Sequence, residues 1–130
     1  MKRFTIEEAE ALIPELEKIF EAVAELAAQA QARADQAQRL EAKGAASIAE
    51  VQLAKSQVQF LTRQMEEKLQ AIVDLGAMPK GLDPALVDFP ARVAGEDVFL
   101  CWKFGEKAIT AYHGADDGFA GRKPLPRKLR

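Results

Sequence analysis

From Ala9 to Leu40, apolar side chains recur in alternating steps of three and four. They fall at Ala9, Leu12, Leu16, Ile19, Val23, Leu26, Ala30, Ala37 and Leu40, with one vacancy at Arg33. This heptad seam restricts the first third of the chain to a long helix with one buried stripe. Thr5 and Glu8 precede it as a capping pair, in which each side chain reaches the other's backbone N–H. Pro14 lies inside the seam, so a kink or a short separate first helix is expected there. The stretch "AAQAQARADQAQ" is biased toward Ala and Gln, but these are strong helix formers and the segment is not a linker.

Gly44 interrupts the pattern, and Ser47 with Glu50 forms a plausible second cap. A second seam runs through Val51, Ala54, Val58, Leu61, Met65, Leu69, Ile72 and Leu75, and Gly76 suits a left-handed helix stop. Two long helices joined by a short turn make an antiparallel, coiled-coil-like hairpin. The predicted layout is one domain over residues 1–130. It has helix 1 over 1–43, helix 2 over 45–76, a loop over 77–86, a sheet over 87–113, and a loop with a basic tail over 114–130.

Three short β-type runs follow: "VDFPARV" (87–93), "VFLCWKF" (98–104) and "AITAYH" (108–113). They predict a three-stranded antiparallel meander, so the fold class is α+β. A two-residue Gly105-Glu106 turn of type II′ would place Trp102 opposite Ile109 and Val98 opposite His113. A four-residue loop over 94–97 would place Phe89 opposite Trp102. In this register one face is nearly all apolar and carries His113, while Cys101 points to the other. Cys101 and His113 are then separated, which argues against a Cys–His nucleophile. Only an odd-length loop would bring them to one side.

The chain holds one Cys, one Trp, one Tyr and one His, all within "LCWKFGEKAITAYH" (100–113). One cysteine cannot supply a Cys-rich metal site, and no metal-ligand spacing repeats, so neither metal nor cofactor is expected. Trp102 reads as core, Cys101 as filler and Tyr112 as cover beside Phe99. His113 with Asp117 and Arg122 is the candidate catalytic set, at the end of the last strand. Asp88, Glu106 and Arg122 are the candidate ligand-binding residues, although Asp88 is also expected to ion-pair with Lys103 across the strands. "GADDGFAGRK" matches neither phosphate-loop pattern and reads as a connecting loop.

The net charge is −2; five basic residues sit in 122–130, so residues 1–121 carry −7. Such a balance gives no general attraction to nucleic acid or membrane. A nucleic-acid role would rest on the tail and Arg92 alone and is not expected. No run approaches the roughly 18 apolar residues of a membrane span. With a single cysteine and no apolar leader, a cytoplasmic protein is expected.

Three stretches carry a likeness: "FTIEEAEALIPEL", "LVDFPARVAGEDVFLCWKFGE" and "YHGADDGFAGRKPL". Together they resemble a prokaryotic family of uncharacterised proteins, domain of unknown function number 2203, over nearly the whole chain. The sheet motif is the specific part. Tyr112 and Ala85 stand where members of that family often have Trp and Gly. The polar positions that the resemblance matches are Asp88, Cys101, Glu106, His113 and Arg122. The seams also carry Ile13, Phe20, Ile48 and Phe60 beyond two heptad positions, more apolar surface than two helices can hide. The expectation is an oligomerising interaction module, a homodimer through its helices that could also engage a protein partner. The alternative is a small enzyme or anion- and ligand-binding protein with its site at His113, Asp117 and Arg122.

Overall fold

In the computed structural model, which describes residues 2–126, helices α1 (Ile6–Ala11), α2 (Ile13–Glu41) and α3 (Ile48–Asp74) precede five strands. These are β1 (Met78–Leu82), β2 (Ala85–Val93), β3 (Glu96–Lys103), β4 (Ala111–His113) and β5 (Lys123–Pro124). The fold is α+β: α2 and α3 pack against each other as a hairpin, and the strands form one antiparallel sheet in the order β1-β2-β3-β4-β5. Two compact units result, one of residues 21–70 and one of residues 1–20 with 71–130.

The first helix divides where Pro14 predicts. Thr5 caps α1, with Glu8 N–H donating to Thr5 Oγ1 at 3.0 Å and Thr5 N–H donating to Glu8 Oε1 at 2.9 Å. Pro14 then sits in the first turn of α2, where a missing N–H costs nothing. The seam residues Ala9, Leu16, Ile19, Val23, Ala30, Ala37 and Leu40 are buried as expected. Gly76, at φ 96°, ends α3. Ala77 N–H donates to the Ile72 carbonyl and Gly76 N–H to that of Val73, which closes the last turn in a Schellman motif.

The sheet has two strands more than the expected meander. The segment assigned to a loop at 77–86 contains β1 and the start of β2. Pro79 and Gly81 suggest a loop, but β1 is an edge strand, where proline is tolerated, and the bulge between Pro79 and Gly81 absorbs the irregularity. Pro90 in β2 follows the same logic. β1 pairs β2 only as far as Asp88, and beyond it the Pro90 carbonyl accepts the Phe4 N–H at 2.7 Å. At the other edge the basic segment contributes β5 and a buried Leu125, whose N–H donates to the Thr110 carbonyl at 2.8 Å. The tail residues Arg127, Lys128 and Arg130 lie outside the described residues.

Both hairpin registers differ from expectation, with opposite consequences. Between β2 and β3 the turn is only Ala94-Gly95, both at positive φ (52° and 82°). Phe89 therefore faces Leu100 instead of Trp102. A shift of two keeps every side chain on its expected face. Between β3 and β4, however, seven residues (104–110) intervene, and Phe99 pairs with His113 and Cys101 with Ala111. A shift of one turns β4 over. Ala111 and His113 move to the face of Cys101, and Tyr112 moves to that of Leu100. The long connection is held by side chains: Trp102 Nε1 donates to the Glu106 carbonyl at 2.9 Å, and Ile109 N–H donates to Glu10 Oε2 of α1 at 2.8 Å.

Val87, Phe89, Ala91, Val98, Leu100 and Trp102 form the apolar core on one face of the sheet. Phe4 meets Phe89 edge-on at 5.1 Å between centroids, and Phe20 lies 6.0 Å from Trp102. Such aromatic contacts anchor α1 and the start of α2 on this face. The opposite face carries the polar residues.

Candidate functional site

Asp88 in β2 stands directly across from Cys101 in β3, and His113 in β4 stands across from Phe99, two residues before Cys101. All three side chains therefore point from the outer face of the sheet. They are almost fully buried, with relative exposures of 4 % for Asp88, 1 % for Cys101 and 3 % for His113. One carboxylate oxygen, the thiol sulfur and one ring nitrogen lie within 4.8 Å of one another. The expectation that Cys101 and His113 point apart is thus overturned, because the β3–β4 connection has odd length.

His113 Nδ1 lies 2.8 Å from the Gly114 carbonyl oxygen, and Nε2 lies 3.0 Å from Asp88 Oδ1. A carbonyl can only accept, so Nδ1 carries a hydrogen. Nε2 then faces a carboxylate, and one further proton must lie between these two atoms. Asp88 does not form the expected ion pair with Lys103, since Lys103 stands opposite Leu86.

Burial pushes the Cys101 thiol above its ordinary pKa, and the negative charge of Asp88 acts in the same direction against the pull of Arg122. The thiol is held protonated, and both ring nitrogens of His113 are engaged by oxygens. Proximity alone therefore does not make a nucleophilic pair, which requires a thiolate.

Arg122 braces the site from beside it. Its Nη2 donates to the Cys101 carbonyl at 3.1 Å and to Glu106 Oε1. Burial is the largest single influence and works against the Arg122 charge, but the bond to Glu106 and the electrostatic pull of Cys101 and Glu106 together overcome it and raise its pKa. The Arg122 Nε is buried without a hydrogen-bond partner among the described residues. Glu106 also accepts the Lys103 N–H at 2.8 Å. Asp117, expected beside His113, instead accepts the Gly114 N–H at 3.2 Å and shapes the turn that follows β4. The site thus joins Asp88, His113 and Arg122 from the candidate sets, adds Cys101, and assigns Asp117 and Glu106 supporting parts.

A cavity of about 260 Å³ opens against the three buried groups, lined also by Lys80, Leu86, Phe99, Ala115, Gly118 and Phe119. Its walls come from β1 to β4 and the segment after β4, so a polar end formed by Asp88 and His113 meets an apolar body. Lys80 and the aromatic wall carry no motif in the sequence. A usable signal was present in the likeness over the sheet: of the five polar positions it matches, Asp88, Cys101 and His113 form the cluster and Glu106 and Arg122 form its brace.

No curated protein and no solved structure matches the chain. The model of one family does match, over residues 2–125, and includes both compact units. The chain belongs to that family, described as uncharacterized conserved protein (DUF2203).

Proposed function

We propose that this is a small binding protein whose site is the cavity on the outer face of the sheet. The convergence of Asp88, Cys101 and His113 on one wall of that cavity carries the reading. Buried polar groups of three chemistries in one place are costly unless satisfied, and the few polar atoms in an apolar pocket usually fix a ligand's orientation. Binding is preferred to catalysis because the thiol is protonated and the imidazole is committed to two oxygens. At about 260 Å³ the cavity is smaller than a drug-sized site and suits a small metabolite or an ion with one accompanying ligand. A reducing cytoplasm would keep Cys101 as a thiol.

Native mass spectrometry of the gently purified chain tests this reading. The expected spectrum shows an adduct that is released on acid unfolding and is lost in Asp88→Ala. A bare chain, together with His113 ring signals that no member of a fragment library shifts, would sink it. His113 is the only histidine, so those signals need no assignment.

A second reading, self-association through the hairpin, is favoured by a separate observation. Leu53 and Phe60, one heptad apart on α3, are 61 % and 58 % exposed, and the seam residues Val58, Leu61, Met65 and Leu69 are only half-buried. A second copy would complete a four-helix bundle over these positions. No helix among the described residues is long and apolar enough to cross a membrane, so a bilayer-spanning role does not explain the stripe.

A further inference from the structure

The structure assigns Asp88, Cys101 and His113 as the protein ligands of a divalent transition-metal ion of the zinc class, with one coordination position left open toward the cavity. This rests on the outer-face cavity being the binding site, and it names what that site holds.

The donor atoms come first. A carboxylate oxygen, a sulfur and an imidazole nitrogen lie within 4.8 Å of one another, and Nε2 and Oδ1 are already 3.0 Å apart. Around zinc, with bonds of about 2.0–2.3 Å, tetrahedral ligands sit roughly 3.3–3.8 Å from each other. No pair of the three atoms is more than about 1 Å outside that range. The strands supply a rigid base, since Asp88 and Cys101 are paired directly across β2 and β3.

The surroundings fit as well. Metal-bound histidines commonly donate their other ring N–H to a carbonyl or carboxylate, which fixes the tautomer and turns the free nitrogen to the ion. The bond from His113 Nδ1 to the Gly114 carbonyl does this and leaves Nε2 facing Asp88. Arg122 holds the backbone carbonyl of Cys101 at 3.1 Å and so steadies the main chain from which the sulfur projects.

Charge balance supports a doubly charged ion. When it binds, the Cys101 thiol proton and the proton between Nε2 and Oδ1 pass to solvent. A dication with one carboxylate, one thiolate and one neutral imidazole is neutral in total, as the protonated cluster is without it. No uncompensated charge is buried in either state. The thiolate selects zinc, cobalt and similar ions over calcium and magnesium, which prefer all-oxygen sites. Three protein ligands leave the fourth position to water or to a donor group of a cavity ligand.

The test uses the full chain, stripped with a chelator and titrated with cobalt(II) chloride, then with zinc chloride. One equivalent of cobalt should give a sulfur-to-cobalt charge-transfer band that zinc abolishes, and zinc should raise the melting temperature by several degrees. Cys101→Ala is small enough to fold, which unchanged Trp102 fluorescence would verify. It should lose the band, weaken zinc binding by about 100-fold or more, and melt at the same temperature with or without zinc. A folded wild-type chain with no band and no zinc-dependent shift would overturn the assignment. Equal zinc affinity in Cys101→Ala would do the same. A flat titration alongside an organic adduct in the native mass spectrum removes the metal alone and leaves the cavity reading standing, whereas a flat titration with a bare chain and His113 ring signals that no fragment shifts removes both.

Discussion

His113 lies between two oxygens with only 3 % of its surface exposed, and that position governs what each neighbouring side chain can be. The pair with Asp88 is satisfied only while a cation occupies the space between Nε2 and Oδ1, whether a proton or a metal ion. Removing His113 leaves a buried carboxylate without a partner, so in metal-free protein His113→Ala should cost about 3–5 kcal/mol. Asp88→Asn is different. Its amide can donate to a neutral Nε2, so it replaces the charged pair by an uncharged one and should cost under about 1 kcal/mol. Urea unfolding of the two variants checks the contrast, and equal losses would contradict this account. At this scale little was legible from sequence. His113 and Asp88 stood out as polar residues in β-type runs, but nothing local to either shows that a strand pair away lies the other.

The reason lies in the elements, where one residue of register decides which side chains meet. Helices were legible because their signal is local: the heptad seams, the Thr5–Glu8 capping pair, Pro14 and Gly76 act within a turn or two of themselves. Strand existence and face in β2 and β3 were also legible from alternation, which survives the two-residue shift produced by the Ala94-Gly95 turn. The face of β4 was not, because the length of its connection is set by Glu10, ninety-nine positions earlier, and by the indole of Trp102. No pattern inside "KFGEKAIT" records those bonds. The tight turn itself offers a prediction. Ala94 holds φ 52°, a region that an alanine enters at a cost of about 1 kcal/mol and that asparagine enters more readily. Asn-Gly is also the favoured pair for a two-residue turn with both φ positive. Ala94→Asn should therefore stabilise the fold by roughly 0.5–1 kcal/mol and raise the melting temperature by a few degrees, as calorimetry would show. A lower melting temperature would mean that the turn is not held as described.

For the molecule as a whole, the two units face different physical problems. The unit of residues 1–20 and 71–130 has a sheet with a filled apolar face, Trp102 and Phe89 fully buried, and a built polar site on its other side. The unit of residues 21–70 has only two helices, and about 50 residues rarely bury enough surface to stand alone. Each helix of such a pair can hide one stripe against the other, yet α3 also presents Leu53 and Phe60 to solvent. On the self-association reading, pairing with a second copy would bury this stripe and add the stability that the pair lacks. The chain should therefore scatter light as a particle of twice 14.3 kDa at micromolar concentration, with a melting temperature that rises with concentration. Leu53→Glu with Phe60→Glu places charges on the stripe without touching the sheet. That variant should become a monomer of lower melting temperature while Trp102 fluorescence and cobalt binding stay as in the wild type. A wild-type monomer at these concentrations would sink the dimer. Loss of cobalt binding on monomerisation would show that the site depends on the second copy and is not complete within one sheet.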